Sequence, residues 1–311
     1  MNKLIKNTPI PIAGLMLGLA AAGNLLQSYG TSYRYILGAL SGIIFIILTL
    51  KAISNPKCIK EGFQNPVVAS VMPTFSMGVM LLSTYINPYL QTAAKIIWFA
   101  GLIIHILLII YFTKKYIIKF NIKKVFPSYF IVYVGIICAS VTAPAYGLVT
   151  LSQYIFWFGF ISYILLLPVV LYRVLKTKEI PEPALPTITI FAAPASLCLA
   201  GYLNSFPEKN ILMVGFLGIL SFVMFISVIA YMPKMLRIKF YPSYSAFTFP
   251  FVITAIAIKG TNGFLANSSN GIPYLGYFVN FLEIWSILMV TYVLIKYSNF
   301  ILNEKPAPSI A

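Results

Sequence analysis

The stretch FYPSYSAFTFPFVITAIAIK, residues 240–259, is about as long as a lipid bilayer is thick and holds a Phe-Pro pair, Phe249-Pro250, at its middle. A proline inside a helix removes one backbone donor and pushes its ring against the carbonyl four residues earlier, which here belongs to Ala246. Lipid supplies no water to that carbonyl, so such a break is tolerated only where the backbone is buried in protein or lines a wet cavity. The stretch therefore predicts a broken transmembrane helix beside a pore.

The composition of the whole chain is typical of an integral membrane protein. Its 311 residues are 60% hydrophobic and only 9% charged, and the mean hydropathy is +0.90, which excludes a soluble domain of this length. The first apolar run has no cleavage site of the A-x-A kind and is interpreted as a retained helix.

Apolar runs of roughly 17–25 residues fill nearly the whole sequence, so we predict one all-α transmembrane domain over residues 1–311. The ten predicted helices are Pro9–Ser28, Tyr33–Ser54, Pro66–Ile86, Thr92–Thr113, Pro127–Ala143, Thr150–Leu175, Pro186–Ser205, Asn210–Met232, Pro242–Lys259 and Tyr274–Phe300.

Basic residues are concentrated at one face of the predicted membrane domain. The two termini and every second loop hold 18 of the 22 Lys and Arg residues, and the other four are Arg34, Lys95, Lys209 and Lys259. The positive-inside rule therefore predicts a multi-pass plasma-membrane protein with both termini in the cytoplasm. Because the basic residues are spread over loops without an aromatic-basic motif, nucleic acid is not an expected partner.

The chain repeats at the length of a helical hairpin. A proline opens each odd-numbered helix, and successive prolines are 57, 61, 59 and 56 residues apart, which indicates repeated supersecondary units. A second helix breaker follows about two turns further on, near mid-bilayer at a rise of 1.5 Å per residue. These breakers are Pro73, Gly135, Pro194 and Pro250, with Gly14 and Gly18 flanking the same place in the first helix. The repeats predict five parallel hairpins with quasi-fivefold symmetry around a central pore.

Odd and even helices differ in the size of their side chains. Odd helices carry small residues and proline at their centres, as in FAAPASLCLAG, and no charged side chain between their predicted ends, whereas even helices are bulky, as in IFWFGFISYILLLPVVLY. Small residues allow close helix approach or a lumen, and bulky aliphatic residues suit lipid. Tight packing without a pore is the alternative for any single helix. Five broken helices in register favour a pore that the odd helices line.

Several of these motifs resemble one family over essentially the whole chain. They are Thr8-Pro9-Ile10 with Gly14 and Gly18-Leu19, Asn65-Pro66 with Pro73 and Phe75, Phe126-Pro127-Ser128, WFGF at 157–160, IFAAPAS at 190–196 and AFTFP at 246–250. Together they resemble the TehA family of tellurite-resistance and dicarboxylate transporters, which includes the slow-type anion channels of plant guard cells. The AAPAS and FTFP stretches are the most specific parts. The first helix departs from the family's usual F-P-x-G entry, because Pro11 stands where a glycine is expected.

The resemblance implies a fold and a gate. Members have ten helices in five hairpins, with odd helices around the pore and even helices outside, and they assemble as homotrimers with one pore per subunit. A phenylalanine on the ninth helix occludes the pore and matches Phe249, and a glycine on the first helix lies near that ring and matches Gly14.

The expected pore wall is polar but uncharged. Hydroxyls of Thr142, Ser196, Thr248 and Thr254, together with carbonyls freed at the breaks, can replace part of an anion's hydration shell. A basic cytoplasmic rim raises the local anion concentration, although salt screens it over roughly 8–10 Å. The residues of this rim are Lys57, Lys60, Lys114, Lys115, Lys123, Lys124, Lys234, Arg237 and Lys239.

The sequence thus predicts a channel for small monovalent anions, gated by Phe249. The alternative is a coupled transporter or exporter of C4-dicarboxylates, sulfite or tellurite-related oxyanions, as some members of the resembled family are. His105 and Glu283 are the ionisable residues placed deep in spans, and both fall on even helices, where an interhelical or intersubunit hydrogen bond is the favoured interpretation. The natural anion, whether chloride, nitrate, sulfite or a dicarboxylate, stays open.

Catalysis, metals and cofactors are not expected. The chain has one histidine, no aspartate, no nucleophile–base set and no phosphate-binding glycine loop. Cys58, Cys138 and Cys198 are far apart and match no metal or redox spacing. The expected partners are therefore small anions, the lipid bilayer and further copies of the same chain.

Overall fold

A computed structural model describes residues 3–177 and 180–303 of this chain, and within them the regular structure is entirely helical. The α-helices, in chain order, are α1 Lys3–Asn7, α2 Ala13–Leu26, α3 Thr31–Ser54, α4 Pro56–Gly62, α5 Pro66–Val71, α6 Pro73–Ile86, α7 Gln91–Phe112, α8 Tyr129–Tyr133, α9 Ile137–Thr142, α10 Val149–Tyr172, α11 Ala193–Ser205, α12 Ile211–Met235, α13 Phe249–Asn267 and α14 Leu275–Leu302. This confirms the predicted all-α membrane class.

Among the described residues, nine helical stretches are long and apolar enough to cross a membrane. They are Ile10–Tyr29, Thr31–Ser54, Pro66–Ile86, Gln91–Ile117, Val149–Thr177, Glu182–Ser205, Ile211–Met235, Pro242–Asn267 and Leu275–Leu302. The fifth predicted span is divided into α8, α9 and a 3₁₀ turn at Ala143–Tyr146. The count of ten and the quasi-fivefold symmetry therefore stay predictions.

Burial separates the odd spans from the even ones. In the four odd spans that form long helical stretches, 61–94% of the residues in the most apolar window are buried, against 28–39% in α3, α7, α10, α12 and α14. The small residues at the centres of the odd spans allow this close packing. The even helices expose isoleucine, leucine and phenylalanine outward, as lipid contact requires. We call the odd spans the inner segments and the five even helices the outer helices.

The inner segments form a closed ring. Helix α2 packs against α6, α6 against α9, α9 against α11, α11 against α13, and α13 back against α2. Each outer helix packs on its own inner partner and on the next inner segment, so that α3 bridges α2 and α6 while α14 bridges α13 and α2. The ring therefore brings the breaks of all five inner segments to one central region.

Four of the five inner segments are broken where the second set of prolines and glycines predicted a disturbance. A short 3₁₀ or α stretch ends there and a new α-helix begins, as at Met72 before Pro73 and at Thr248 before Phe249. In the first, the 3₁₀ turn Ile10–Ile12 ends before Gly14, so the predicted place between Gly14 and Gly18 lies inside α2. Helices α11 and α13 follow 3₁₀ stretches at Glu182–Ala192 and Pro242–Phe247.

Two expectations about the ninth span are corrected. Pro250 does not kink a continuous helix but lies in the first turn of α13, where its missing N–H has no intrahelical partner to lose. The helix also continues to Asn267, past the predicted end at Lys259. Lys259 is therefore a charged residue inside an inner segment.

Candidate pore between the inner segments

A cavity lies where the five broken segments meet. The space that water centres can occupy in it is about 50 Å³, which is room for a few water molecules at roughly 10–15 Å³ each. Every inner segment contributes to its wall, which consists of Gly14, Leu17, Val71, Thr74, Met77, Phe130, Ile131, Val134, Gly135, Thr187, Ile190, Ala193, Pro194, Leu197, Ser243, Ser245, Ala246, Phe249 and Pro250. None of these side chains is charged.

The break of the ninth span places Phe249 on the cavity wall. Thr248 has a backbone conformation outside the helical regions, with φ −105° and ψ −86°, and separates the 3₁₀ stretch from α13. Phe249 is the first residue of α13 and its side chain is 6% exposed. The ring is therefore a bulky apolar group at the cavity, held at the start of a new helix.

Two glycines of α2 bring the backbone of that helix against this break. Gly14 and Gly18 are four residues apart and share one helix face. A Cβ atom on Gly14 would lie 2.9 Å from the Cβ of Ser245, and one on Gly18 would lie 2.6 Å from the Cβ of Thr248 and 3.2 Å from the nitrogen of Phe249. The absence of side chains on α2 thus allows direct contact with the residues that carry Phe249.

Five of the predicted pore-lining residues lie together on the cavity wall, and six do not. Those on the wall are Gly14, Gly135, Pro194, Phe249 and Pro250. Gly18 packs on Thr248 beside the cavity, and Pro73 precedes the lining residue Thr74. The remaining four, the hydroxyl residues Thr142, Ser196, Thr248 and Thr254, are bonded elsewhere.

These four hydroxyls join helices to one another. The hydroxyl oxygen of Thr142 accepts a hydrogen bond from the indole N–H of Trp98 on outer helix α7 at 2.7 Å. Ser196 lies 2.5 Å from the hydroxyl of Ser221 on α12 and 2.9 Å from that of Thr254. Buried hydroxyls need partners, and here neighbouring helices supply them. None of these four residues is part of the wall of this cavity.

A different set of hydroxyl residues lines the cavity, namely Thr74, Thr187, Ser243 and Ser245. All four lie in or beside the broken stretches, which is the signal that could have identified them. Thr74, Thr187 and Ser243 donate hydrogen bonds to the carbonyls of Val71, Ala184 and Pro183 respectively. Within residues 3–177 and 180–303, no group of three or more His, Cys, Asp or Glu side chains is placed to hold a metal ion.

The predicted basic rim is largely open to solvent. Eight of its nine residues are exposed, and Lys115 is half-buried and donates to the side-chain oxygen of Gln64 at 2.6 Å. Two further basic residues of the same loops are buried and have structural contacts. Lys51 donates to the carbonyls of Lys6 and Thr8 at 3.0 and 2.7 Å, and Arg173 donates to the carbonyl of Lys123 at 3.3 Å. Lys178 and Lys305 fall outside the described residues.

The two deep ionisable residues have interhelical partners, as expected, and neither lines the cavity. The ring nitrogens of His105 lie 2.9 Å from the hydroxyl of Ser76 and 3.1 Å from the carbonyl of Val132, so the imidazole connects α7 to α6 and α8. Glu283 accepts from Lys259 at 2.7 Å and from the hydroxyl of Tyr29 at 2.6 Å. These contacts confirm the structural interpretation of both groups within the chain.

Comparison with known proteins identifies the family of this chain. The family described as SLAC1, voltage-dependent anion channel, matches residues 7–297. A relative from Methanocaldococcus jannaschii, described as an uncharacterized transporter, is 26% identical over 239 residues, which cover 67% of this chain and 68% of that protein. The match includes all five broken inner segments and the Phe-Pro pair on the cavity wall. The chain therefore belongs to the SLAC1 family of voltage-dependent anion channels.

Proposed function

We propose that the chain passes small monovalent anions down their gradient through the cavity between the inner segments, and that Phe249 is the gate. The observation that carries this proposal is an uncharged cavity, walled by all five broken segments, with two large aromatic side chains on its wall, Phe130 and Phe249. Of these, Phe249 is the one that begins the new helix at a break. A cavity of about 50 Å³ holds only a few waters. This volume corresponds to a closed form of the path.

Three hydroxyl residues of the cavity wall can supply weak anion binding if their hydroxyls turn toward the cavity. An anion in the cavity attracts O–H donors, and rotation of the Thr74, Thr187 and Ser243 hydroxyls away from their backbone acceptors supplies them. Each rotation gives up one hydrogen bond, so the net attraction is small. Conduction requires binding of this kind, because an ion must leave the site as readily as it enters.

The basic rim increases the rate at which anions enter the pore. Its exposed lysines and arginines raise the anion concentration at one end of the inner ring. Salt screens this field over roughly 8–10 Å, so the rim favours anions over cations and discriminates weakly among anions.

Phe249 closes the path by excluding water and ions together, as a hydrophobic constriction does. Flux measurements on the purified protein in liposomes test this role. Chloride efflux is measured in the presence of a potassium ionophore, which balances the charge. We expect Phe249→Ala to raise chloride efflux at least tenfold, because removing the ring opens the path to water and ions. A tenfold increase corresponds to a barrier lower by about 1.4 kcal/mol. Nitrate, bromide and sulfate in parallel vesicles identify the anions that pass.

Phe251→Ala is the matched control. Phe251 lies two residues further along α13 and is fully buried, but its ring packs against Phe225 and Trp285 of the outer helices. Its truncation leaves a comparable cavity away from the pore, so we expect efflux at the wild-type level. Equal efflux from wild type and Phe249→Ala contradicts the gate. Equal increases in Phe249→Ala and Phe251→Ala indicate that truncation loosens the packing of the helices in general.

Coupled transport of a dicarboxylate or an oxyanion is the second candidate. The relative described as a transporter favours it, whereas the cavity wall offers no ionisable side chain to take up a coupling proton. Efflux that saturates and follows an imposed pH gradient supports the carrier. Efflux that is linear in anion concentration and indifferent to the pH gradient supports the channel.

The assembly and orientation are part of the same proposal. We expect a homotrimer in the plasma membrane with one pore per subunit, supported by the family and by the apolar outer helices. Both termini are expected in the cytoplasm because the basic loops lie at that face. Light-scattering mass determination tests the assembly, and labelling of cysteines introduced at each terminus from each side of the membrane tests the orientation.

A further inference from the structure

A groove on the outer surface of the protein lies between the carboxyl-terminal part of α10 and α12. Its volume is about 620 Å³, and the 3₁₀ stretch Glu182–Ala192 forms its floor. We call it the α10–α12 groove. Its size is within the usual range of roughly 300–1,000 Å³ for ligand sites, and it opens on the side where outer helices meet lipid.

The length of the groove corresponds to one leaflet of a bilayer. Its wall on α12 runs from Met224 to Lys234, which is about 15 Å at 1.5 Å per residue. Half of a hydrocarbon core of roughly 30 Å has the same length. Apart from Ser227, Lys234 and the hydroxyl of Tyr231, the side chains of the wall are apolar. The groove thus offers an apolar slot along one leaflet and a cation at its end.

The charged end lies at the basic face of the protein. Lys234 is exposed, one residue from the end of α12, and its ammonium group lies 5.2 Å from the ring centre of Tyr231. Among the described residues of the bordering segments, Glu182 is the acidic one, and its carboxylate accepts a hydrogen bond from Tyr241 at 2.8 Å. Lysine and tyrosine at this depth are suited to a phosphate group.

The floor of the groove is connected to the pore wall. Phe191 lines the groove, and its ring centre lies 5.6 Å from that of Phe130, which lines the central cavity. The preceding residue, Ile190, lines the cavity as well. A molecule in the groove therefore packs against the back of the cavity wall.

We propose that the α10–α12 groove binds one anionic glycerophospholipid, with its phosphate at Lys234 and an acyl chain along Phe191. The charge at one end and the leaflet length of the apolar slot select this ligand over a neutral lipid or an apolar helix of another chain. Lipid in the groove supports Phe191, and through Phe130 it supports the wall of the pore. The lipid site stands independently of the anion-channel proposal, because binding is measured without flux.

Native mass spectrometry of the purified protein in detergent tests the site, with phosphatidylglycerol and phosphatidylcholine of identical acyl chains as probes. We expect one phosphatidylglycerol to be retained more tightly than phosphatidylcholine. Lys234→Gln is expected to weaken phosphatidylglycerol binding about fivefold, as expected for one lysine near an anionic headgroup, and to leave phosphatidylcholine binding unchanged. Lys234→Arg keeps the charge and is expected to keep the affinity. Lys239 is a basic residue of the same face outside the groove, so Lys239→Gln is the matched control. It is expected to change the binding of neither lipid.

A second pair of variants tests the slot itself. Ser227→Trp fills the groove from α12 and is expected to lower retention of both lipids, whereas Ile226→Trp, on the adjacent outward face, is expected to lower neither. Equal affinity for the two lipids, or an equal loss in Lys234→Gln and Lys239→Gln, overturns the proposal. A change of oligomeric mass in Ser227→Trp without loss of lipid overturns it too, because a second copy of the chain then covers the groove.

Discussion

The hydroxyl oxygen of Thr248 lies 3.0 Å from the carbonyl oxygen of Gly14, which connects α2 to the residue directly before Phe249. The same hydroxyl lies 2.7 Å from the carbonyl of Ser245, across the break in the ninth span. The one hydroxyl proton is shared between these two carbonyls, so a single side chain contacts both the 3₁₀ stretch before α13 and the first inner helix. The position of Phe249 depends on a contact between segments more than two hundred residues apart in sequence.

Replacing Thr248 by valine removes this hydroxyl at nearly constant volume. We expect a loss of about 1 kcal/mol in stability, together with a higher resting chloride efflux because the start of α13 is less firmly held. Thermal unfolding in detergent and liposome flux measure the two effects. Thr248→Ser keeps the hydroxyl and is expected to stay near wild type. A serine variant as unstable as the valine variant contradicts this role of the hydroxyl.

The close approach at Gly18 predicts a large effect for a single methyl group. A Cβ at Gly18 would lie 2.6 Å from Thr248, so Gly18→Ala forces α2 and α13 apart. We expect a loss of about 1–3 kcal/mol, the usual cost of overpacking, measured as a lower unfolding temperature. Gly215→Ala is the matched control, since a Cβ at Gly215 meets no atom within 4 Å. Equal unfolding temperatures for Gly18→Ala and the wild-type protein contradict the contact.

The pair of Lys259 and Glu283 predicts an asymmetric response to mutation. The Lys259 side chain is 33% exposed and that of Glu283 is 6% exposed. Lys259→Met leaves a buried carboxylate without its cation and is expected to cost about 3–5 kcal/mol. Glu283→Gln leaves a lysine that water reaches, with an expected cost of about 1.5–3 kcal/mol.

The double variant, Lys259→Met with Glu283→Gln, completes the cycle and is expected to be more stable than Lys259→Met alone. Chemical unfolding in detergent measures all four proteins. Strict additivity of the two single changes shows that the pair is not coupled. Because neither residue lines the cavity, we expect the pH dependence of anion efflux to be the same in all four.

Thr74 lines the cavity and its hydroxyl donates to the carbonyl of Val71, whereas the hydroxyl of Ser196 is turned toward α12. In the open Phe249→Ala background, we therefore expect Thr74→Val to lower nitrate and chloride efflux by less than about fivefold, because the hydroxyl gives up its bond to Val71 and its net contribution is below about 1 kcal/mol. Ser196→Ala removes a hydroxyl of similar burial away from the cavity and is expected to leave efflux unchanged. Equal efflux in both variants contradicts the assignment of Thr74 to the anion path.

Much of the architecture follows from patterns that are local in sequence. Hydropathy and low charge identify a membrane protein, and the regular spacing of prolines identifies the inner segments because proline is favoured in the first turn of a helix. The resemblance of the AAPAS and FTFP stretches predicted the family, which the match over residues 7–297 confirms. These features depend on residue type and spacing alone, so no knowledge of contacts was needed.

Only the tertiary structure determined which individual side chains point toward the cavity. A residue advances about 100° around an α-helix and about 120° around a 3₁₀-helix, so a 3₁₀ stretch such as Pro242–Phe247 rotates the later hydroxyls away from the positions that α-helical spacing predicts. Ser243 and Ser245 therefore line the cavity, while Thr254 bonds to the carbonyl of Pro250. The partner of Glu283 was also hidden from the sequence, because only the closing of the ring brings α13 and α14 against α2.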